Sequence, residues 1–409
     1  MKAIMRDEQE MKYSGVEYLG FIPNDWKVAS AKYFVKISNG SDPKSEGDIP
    51  VYGSGKKSFR TCGEYKEGPA VLLGRKGTID IPQYIDGRYW NVDTAFDVKN
   101  KSGYSLRYYY YLSTCFDYKR YSTQTALPSM TQSNYTDMRI TLPIYFEQQH
   151  ISNYLDDRCS KIDAIIAEAK VSIEEYKELK QAVIYEAVTK GLDKNVEMKD
   201  SGIEWIGNIP KSWEMKKIKY VADFNPKVTI DYDVNQNVGY VPMDAVKFGY
   251  MEPLESAIYK LSTGLTQFQN NDIVMAKVTP CFENGEIAIA ENLAQEVGFG
   301  SSELFVYRAN SINRKFLFYY LQHIGFKEMA ASTMTGTGGL KRVSSYFARN
   351  AEITYPSVAE QQEIVNYLDK NCEGIDSLIT EKQSLIEDLE AYKKSLIYEV
   401  ITGKRKVVA

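Results

Sequence analysis

Between Glu147 and Thr189 the chain carries neither proline nor glycine, and its apolar residues recur in alternating steps of four and three. Leu155, Cys159, Ile162, Ile166, Ala169, Ile173, Tyr176, Lys180, Val183 and Ala187 lie on this seam, which is a heptad pattern. Leu368, Cys372, Ile375, Ile379, Lys382, Ile386, Leu389, Lys393, Leu396 and Val400 repeat it near the C-terminus. Runs of roughly 40 residues predict two helical rods about 60 Å long. Rods of this polarity are unstable alone, and the nearest partner for each is the other. Antiparallel pairing would place whatever precedes each rod at opposite ends. Lys180 and Lys393 interrupt the seam at matching positions. Such a lysine either sets the register or lays its stem along the seam with its head in water.

Before each rod the period changes from helical to alternating. PVYGSG and AVLLGRKGTI in the first half, and NNDIVMAKVTPCFENGEIAIA in the second, predict short strands bounded by turns. SLRYYYYLSTCF and NRKFLFYYLQHIGF each predict a buried helix. An exposed polar loop follows, STQTALPSMTQS or STMTGTGGLKRVSS, and then a strand, RIT or EIT. The parts recur in one order. SGVEYLGFIPNDW from Ser14 is matched by SGIEWIGNIPKSW from Ser201, and ITLPIYFEQQHISNYLD from Ile140 by ITYPSVAEQQEIVNYLD from Ile353. The chain therefore reads as signpost, variable block and rod, twice over. Two mixed α/β blocks of one fold, related by a pseudo-twofold axis, are expected.

Composition narrows the function. With 409 residues, 44% hydrophobic and 25% charged, the chain is long enough for two or three domains with real cores. A net charge of −4 gives no global signature of nucleic-acid binding, although the block from Phe34 to Arg139 is locally positive. The 32 tyrosines suit recognition surfaces as well as cores. Five scattered cysteines without a CxxC pair, and only two histidines, His150 and His323, argue against a zinc site or a disulfide framework. The first residues show no signal-peptide pattern and no run is apolar enough to span a membrane, so a cytoplasmic protein is expected.

The ordered motifs resemble those of the specificity subunit of type I restriction–modification enzymes over nearly the whole chain. IPVYGSG, LLGRKGTI and YWNVDTAF are similar to one version of that family's target-recognition domain. NDIVMAKVTPCFENG, GSSELFV and GTGGLKRV are similar to another, and the E-Q-Q segments at Glu147 and Glu360 match the starts of its conserved helices. The resemblance implies an α/β fold of two similar mixed α/β target-recognition domains joined by two long antiparallel coiled-coil helices. It places the first domain at 1–143, the central helix and linker at 144–200, the second domain at 201–356 and the last helix at 357–409. It further implies a non-catalytic reader of a split, asymmetric site in double-stranded DNA. Two adenine methyltransferase subunits and a restriction/translocase subunit are the implied partners, with no cofactor and no membrane.

Base edges in the major groove are read by Arg, Lys, Asn, Gln, Ser and Thr. The polar loops offer Gln124, Thr125, Ser129 and Thr131 in the first block, and Thr335, Thr337, Lys341 and Arg342 in the second. Gly336, Gly338 and Gly339 allow close backbone approach to phosphates. A second group comprises Lys56, Lys57, Arg75 and Lys76, matched by Lys277 and Thr279. Each of these also suits a solvated turn. Enzyme readings are weak: GTGGLKR lacks the GK[ST] ending of a phosphate loop. Asp93 with Lys99, or Glu303 with Arg308, are chance acidic–basic neighbours rather than a nuclease site. The rival from another class is a coiled-coil scaffold for two protein partners.

Overall fold

The computed structural model describes residues 1–408 apart from 102, 124, 229–232, 234, 261–263 and 338. Two compact units result, Met1–Lys170 with Gln383–Ala409, and Val171–Lys382. Both rods form as uninterrupted helices, Tyr145–Lys190 (the first rod) and Val358–Ile401 (the second rod). Each unit therefore contains a segment of both rods.

Every residue of the predicted seams is buried or half-buried, while most residues between them are exposed. The rods pair antiparallel in both units, and the seam lysines show it. In one unit Lys180 of the first rod places Nζ 2.7 Å from both carboxylate oxygens of Asp376 in the second. In the other, Lys393 of the second rod sits 2.6 and 2.7 Å from those of Asp163 in the first. The two pairs are each other's counterparts in the repeat. The open choice for these lysines is thereby resolved: each stem lies along the seam and each head meets an aspartate of the opposite rod. The aspartates are more than half exposed, so each pair adds only about 0–1 kcal/mol. Its larger effect is on register.

The two blocks share one topology. In the first, a four-stranded sheet runs in the order Gln83–Ile85, Ala70–Gly74, Ala95–Asn100, Val35–Asn39, all antiparallel. In the second the order is Ile287–Ile289, Ile273–Ala276, Leu304–Ala309, Ala222–Phe224. A second sheet follows suit. Arg60–Cys62, Ile49–Tyr52, Arg88–Asn91 and Lys66–Glu67 correspond to Leu254–Ala257, Asn237–Val241, Val297–Gly300 and Thr266–Gln269. The middle pair is parallel in both. Ala70–Gly74 and Ile273–Ala276 are buried along their whole length, as their unbroken apolar runs require.

The repeated sequence segments coincide with contacts that fasten block to rod. Trp26 and Trp213 are buried, and their indole N–H groups donate to Glu147 (3.0 Å) and Glu360 (2.9 Å) at the rod starts. The next residues, Gln148 and Gln361, accept the backbone N–H of Ser105 (2.8 Å) and Asn313 (2.7 Å). Those two residues cap the block helices Leu106–Ser113 and Arg314–Tyr320. The glutamine amides also donate to the carbonyls of Pro143 and Pro356, both at 2.9 Å. Two turns on, Asp156 binds Arg107 and Tyr111, and Asp369 binds Lys315 and Tyr319. Each rod ends at a left-handed glycine packed on a tryptophan. A Cβ at Gly403 would lie 3.0 Å from Trp26, and one at Gly191 would lie 3.1 Å from Trp213.

Two outcomes follow. Gln361 is buried, so Gln361→Leu strips partners from the Pro356 carbonyl and the Asn313 amide; it should cost about 1–3 kcal/mol in urea unfolding. The second outcome concerns His323, whose Nδ1 accepts the Phe326 N–H at 3.3 Å and so caps Ile324–Ser332. Its ring stacks on Trp205, and burial lowers its pKa to about 3. The imidazole is therefore neutral when folded but protonates below about 6.5 when unfolded. Its contribution is intact above that pH and falls by about 1.4 kcal/mol per pH unit on acidification, down to the folded value. His323→Asn keeps a capping acceptor, so the variant should show a shallower loss of urea stability than the parent between about pH 6.5 and 4.

Candidate nucleic-acid interface

In the first block the structure gathers candidates that are far apart in sequence. The buried strand Ala70–Gly74 runs directly into Arg75 and Lys76, and this strand end pairs with the polar loop. Lys76 forms an isolated antiparallel bridge with Ser129. The Gly77 N–H donates to the Pro128 carbonyl at 2.9 Å, and the Met130 N–H to the Arg75 carbonyl at 3.0 Å. The loop is braced internally by Thr123, whose Oγ1 lies 3.0 Å from Ser129 Oγ, and by Thr125, whose hydroxyl donates to the Leu127 carbonyl at 2.9 Å. Gly77 has φ near +79°, and a Cβ there would lie 3.7 Å from both Ser54 and Leu127. The turn carrying Lys56 and Lys57 is thus drawn to the same place. Lys56, Lys57 and Lys76 are exposed. Arg75 reaches the Asp93 carbonyl at 3.4 Å. Thr131 caps the helix Gln132–Asp137 in a capping box with Asn134, so its hydroxyl is engaged locally. Gln124 lies outside the described residues.

The second block builds the same junction with other side chains. Ile273–Ala276 runs into Lys277, and Val278 bridges Arg342, as Lys76 bridges Ser129. The glycine-rich stretch expected as a loop is a hairpin, Thr335–Thr337 with Leu340–Arg342, paired Thr335 to Arg342 and Thr337 to Leu340. Gly338 lies outside the described residues. Thr279 sits beneath this hairpin and is buried. Its N–H donates to the Lys341 carbonyl (2.9 Å), its hydroxyl accepts the Lys341 N–H (2.9 Å) and donates to the Gly339 carbonyl (2.7 Å). Lys277 turns back to the Ser302 carbonyl at 2.6 Å. Thr335, Thr337, Lys341 and Arg342 are exposed.

Arg342 is held by a bidentate ion pair. Its Nε and Nη2 each lie 2.8 Å from a different oxygen of Glu303. That bond holds the Glu303 carboxyl below the usual carboxylate range. Glu303 was absent from the expected contacts because its partner lies 39 residues away and no local pattern links them. The two nuclease-like pairs do not assemble. Arg308 is held by the buried Asp272 rather than Glu303, and Lys99 donates to the carbonyls of Glu67 and Pro69. Among the described residues no three or more His, Cys, Asp or Glu side chains are gathered as a metal site would need.

The family model described as type I restriction modification DNA specificity domain matches residues 23–175 and again 210–388. The chain belongs to this family. The type I restriction enzyme EcoAI specificity subunit of Escherichia coli is 36% identical over 200 residues, covering 48% of this chain and 33% of the relative. The chain thus matches about a third of the length of that relative and of the EcoEI subunit. The MjaVIII specificity subunit of Methanocaldococcus jannaschii is 26% identical over 424 residues, covering 99% of this chain and 89% of that one. A solved chain from work on complex assembly and conformational transition of the type I R-M system covers 94% of this chain and 99% of its own, with a TM-score of 0.70 at 12% identity. At that identity the likeness is one of fold, and it runs over both blocks and both rods. No helix among the described residues is long and apolar enough to cross a membrane.

For a specificity-family block, the buried Thr279 separates bracing from contact. Thr279→Val removes the hydroxyl that ties down Lys341. The expected result is faster hydrogen exchange at the Lys341 amide, by about five- to tenfold for a bond worth about 1 kcal/mol. Parent-like exchange would mean that the hairpin is held by its own strand pairing.

Proposed function

We propose that the chain is the DNA-reading subunit of a type I restriction–modification complex. Each block reads one half of a bipartite, asymmetric target in double-stranded DNA, and the rods carry adenine methyltransferase subunits that a restriction/translocase subunit joins. The chain performs no chemistry of its own; it places its partners on a sequence.

The observation that carries this reading is the shared junction of strand end and polar loop, built on one framework with different side chains. Arg75, Lys76 and Ser129 stand in the first block where Lys277, Val278 and Arg342 stand in the second. A rigid sheet presenting variable loops is how one fold serves many binding specificities. Two unlike readers call for two unlike half-sites, whereas two identical ones would call for a palindrome. Exposed lysines beside hydroxyl-rich turns supply the cations for phosphates and the short polar groups for base edges.

Exchanging about Phe34 to Arg139 for the first block of another family member tests modularity. Methylome sequencing of cells carrying the hybrid should show one half of the methylated sequence changed and the other retained. Changes in both halves would reject independent readers. Failure of the parent protein, with its methyltransferase, to bind any DNA sequence-specifically would favour the scaffold reading. Lys76→Ala should weaken binding to all sequences alike and reduce the slope of log affinity against log salt by about one, as loss of one phosphate contact requires.

A further inference from the structure

Building on the DNA-reading proposal, we propose that Arg342 reads a guanine in one half of the target, and that Glu303 is the positioning residue that aims it. A guanidinium has five N–H donors in a fixed plane. Glu303 engages the inner side, through Nε and one hydrogen of Nη2, at 2.8 Å each. The outer edge, formed by Nη1 and the other Nη2 hydrogen, keeps two parallel donors. That edge matches guanine, whose O6 and N7 are adjacent acceptors in the major groove. Adenine sets its own amino donor against one of them, and neither pyrimidine presents such a pair.

Both partners are fixed through their backbones. The Glu303 carbonyl accepts the Lys277 N–H at 3.0 Å, and the Glu303 N–H donates to Ser301 Oγ at 3.2 Å. Arg342 is held on one side by Thr335 in the hairpin and on the other by its bridge to Val278. The arginine side chain is 46% exposed and the glutamate side chain 26%, so the fork is open to solvent while its anchor is more sheltered. A fork fixed in this way loses little freedom on meeting a base. The carboxylate also repels phosphates, so the pair lowers affinity for DNA in general. An arginine serving only as a phosphate contact would bind better without it. The arrangement therefore favours discrimination over affinity.

The test uses the full chain with its methyltransferase subunit and the target read from the host methylome. Each guanine of the two half-sites is replaced in turn by 7-deazaguanine, which lacks the N7 acceptor. At one position the parent should lose about five- to tenfold in binding, and Arg342→Ala should be indifferent to the same replacement. Glu303→Ala should bind unrelated duplex more tightly than the parent, yet lose about tenfold in its preference for guanine over adenine at that position. A purely structural ion pair would not move affinity and discrimination in opposite directions. Indifference of the parent to every replacement, or full discrimination by Glu303→Ala, would overturn the assignment while leaving the DNA-reading proposal standing. A parent with no sequence-specific binding would overturn both.

Discussion

A buried indole N–H at the start of each rod has a single acceptor, a glutamate in the first turn of that rod. The same indole ring packs on the glycine that ends the other rod. Because the rods run antiparallel, one rod's beginning and the other's end meet in each unit, and one tryptophan contacts both. The block is fastened to this junction by the adjacent glutamine, which accepts the backbone N–H of the residue capping the block helix, and by the aspartate two turns on. Loss of the indole bond would leave the buried donor, or the facing carboxylate oxygen, without its partner, at about 1–3 kcal/mol for the donor alone. The internal repeat thus has a physical reason. I-P-x-x-W and E-Q-Q recur because tryptophan and glutamate are contact partners, and N-Y-L-D recurs because its aspartate holds the block helix, through Arg107 and Tyr111 in one block and Lys315 and Tyr319 in the other.

The seam lysines fit the same scheme. A lysine in a coiled-coil seam weakens the apolar contact, and its ion pair with a half-exposed aspartate returns little. What the pair adds is position. Lys180 reaches Asp376 and Lys393 reaches Asp163 only in the antiparallel register, and a slip of one heptad would separate both pairs by about 10 Å. Since the junctions at the rod ends demand that register too, the seam and the ends agree.

Much of this was legible in the sequence where the signal is periodic. The heptad seam gave both rods, and AVLLGRKGTI was legible as a strand, although as an alternating one, whereas Ala70–Gly74 is buried at every residue. The repeat announced that the blocks share a fold. Side-chain partnerships between distant segments were not legible. Thr335–Thr337 and Leu340–Arg342 pair as a hairpin whose backbone is also met by Thr279, some sixty residues earlier, a partnership no local pattern marks. Likewise nothing near Arg342 in sequence marks Glu303 as its partner. Thr131 differs in kind: Thr-x-x-Asn ahead of a short helix is a capping pattern, so its local role was available from spacing alone.

The two blocks differ in how their cations are held, and the difference bears on what each can discriminate. In the first, Lys56, Lys57 and Lys76 sit on exposed turns. A flexible ammonium satisfies phosphates at many angles and distinguishes bases poorly. The hydroxyls of Thr125 and Ser129 are already oriented within the loop, so on the proposed function any choice of base there falls to short side chains brought close by the backbone. In the second block the fork of Arg342 is held by Glu303 through two bonds. If each block reads its half-site as proposed, the first does so through short side chains steadied by flexible phosphate-binding lysines and the second through a fixed fork. Electrostatic attraction is long-ranged and governs encounter, whereas a bidentate contact acts only at contact distance and governs dissociation. On the proposed function, the lysines of the first block would speed encounter with DNA while both blocks test the sequence, the second through a bidentate contact.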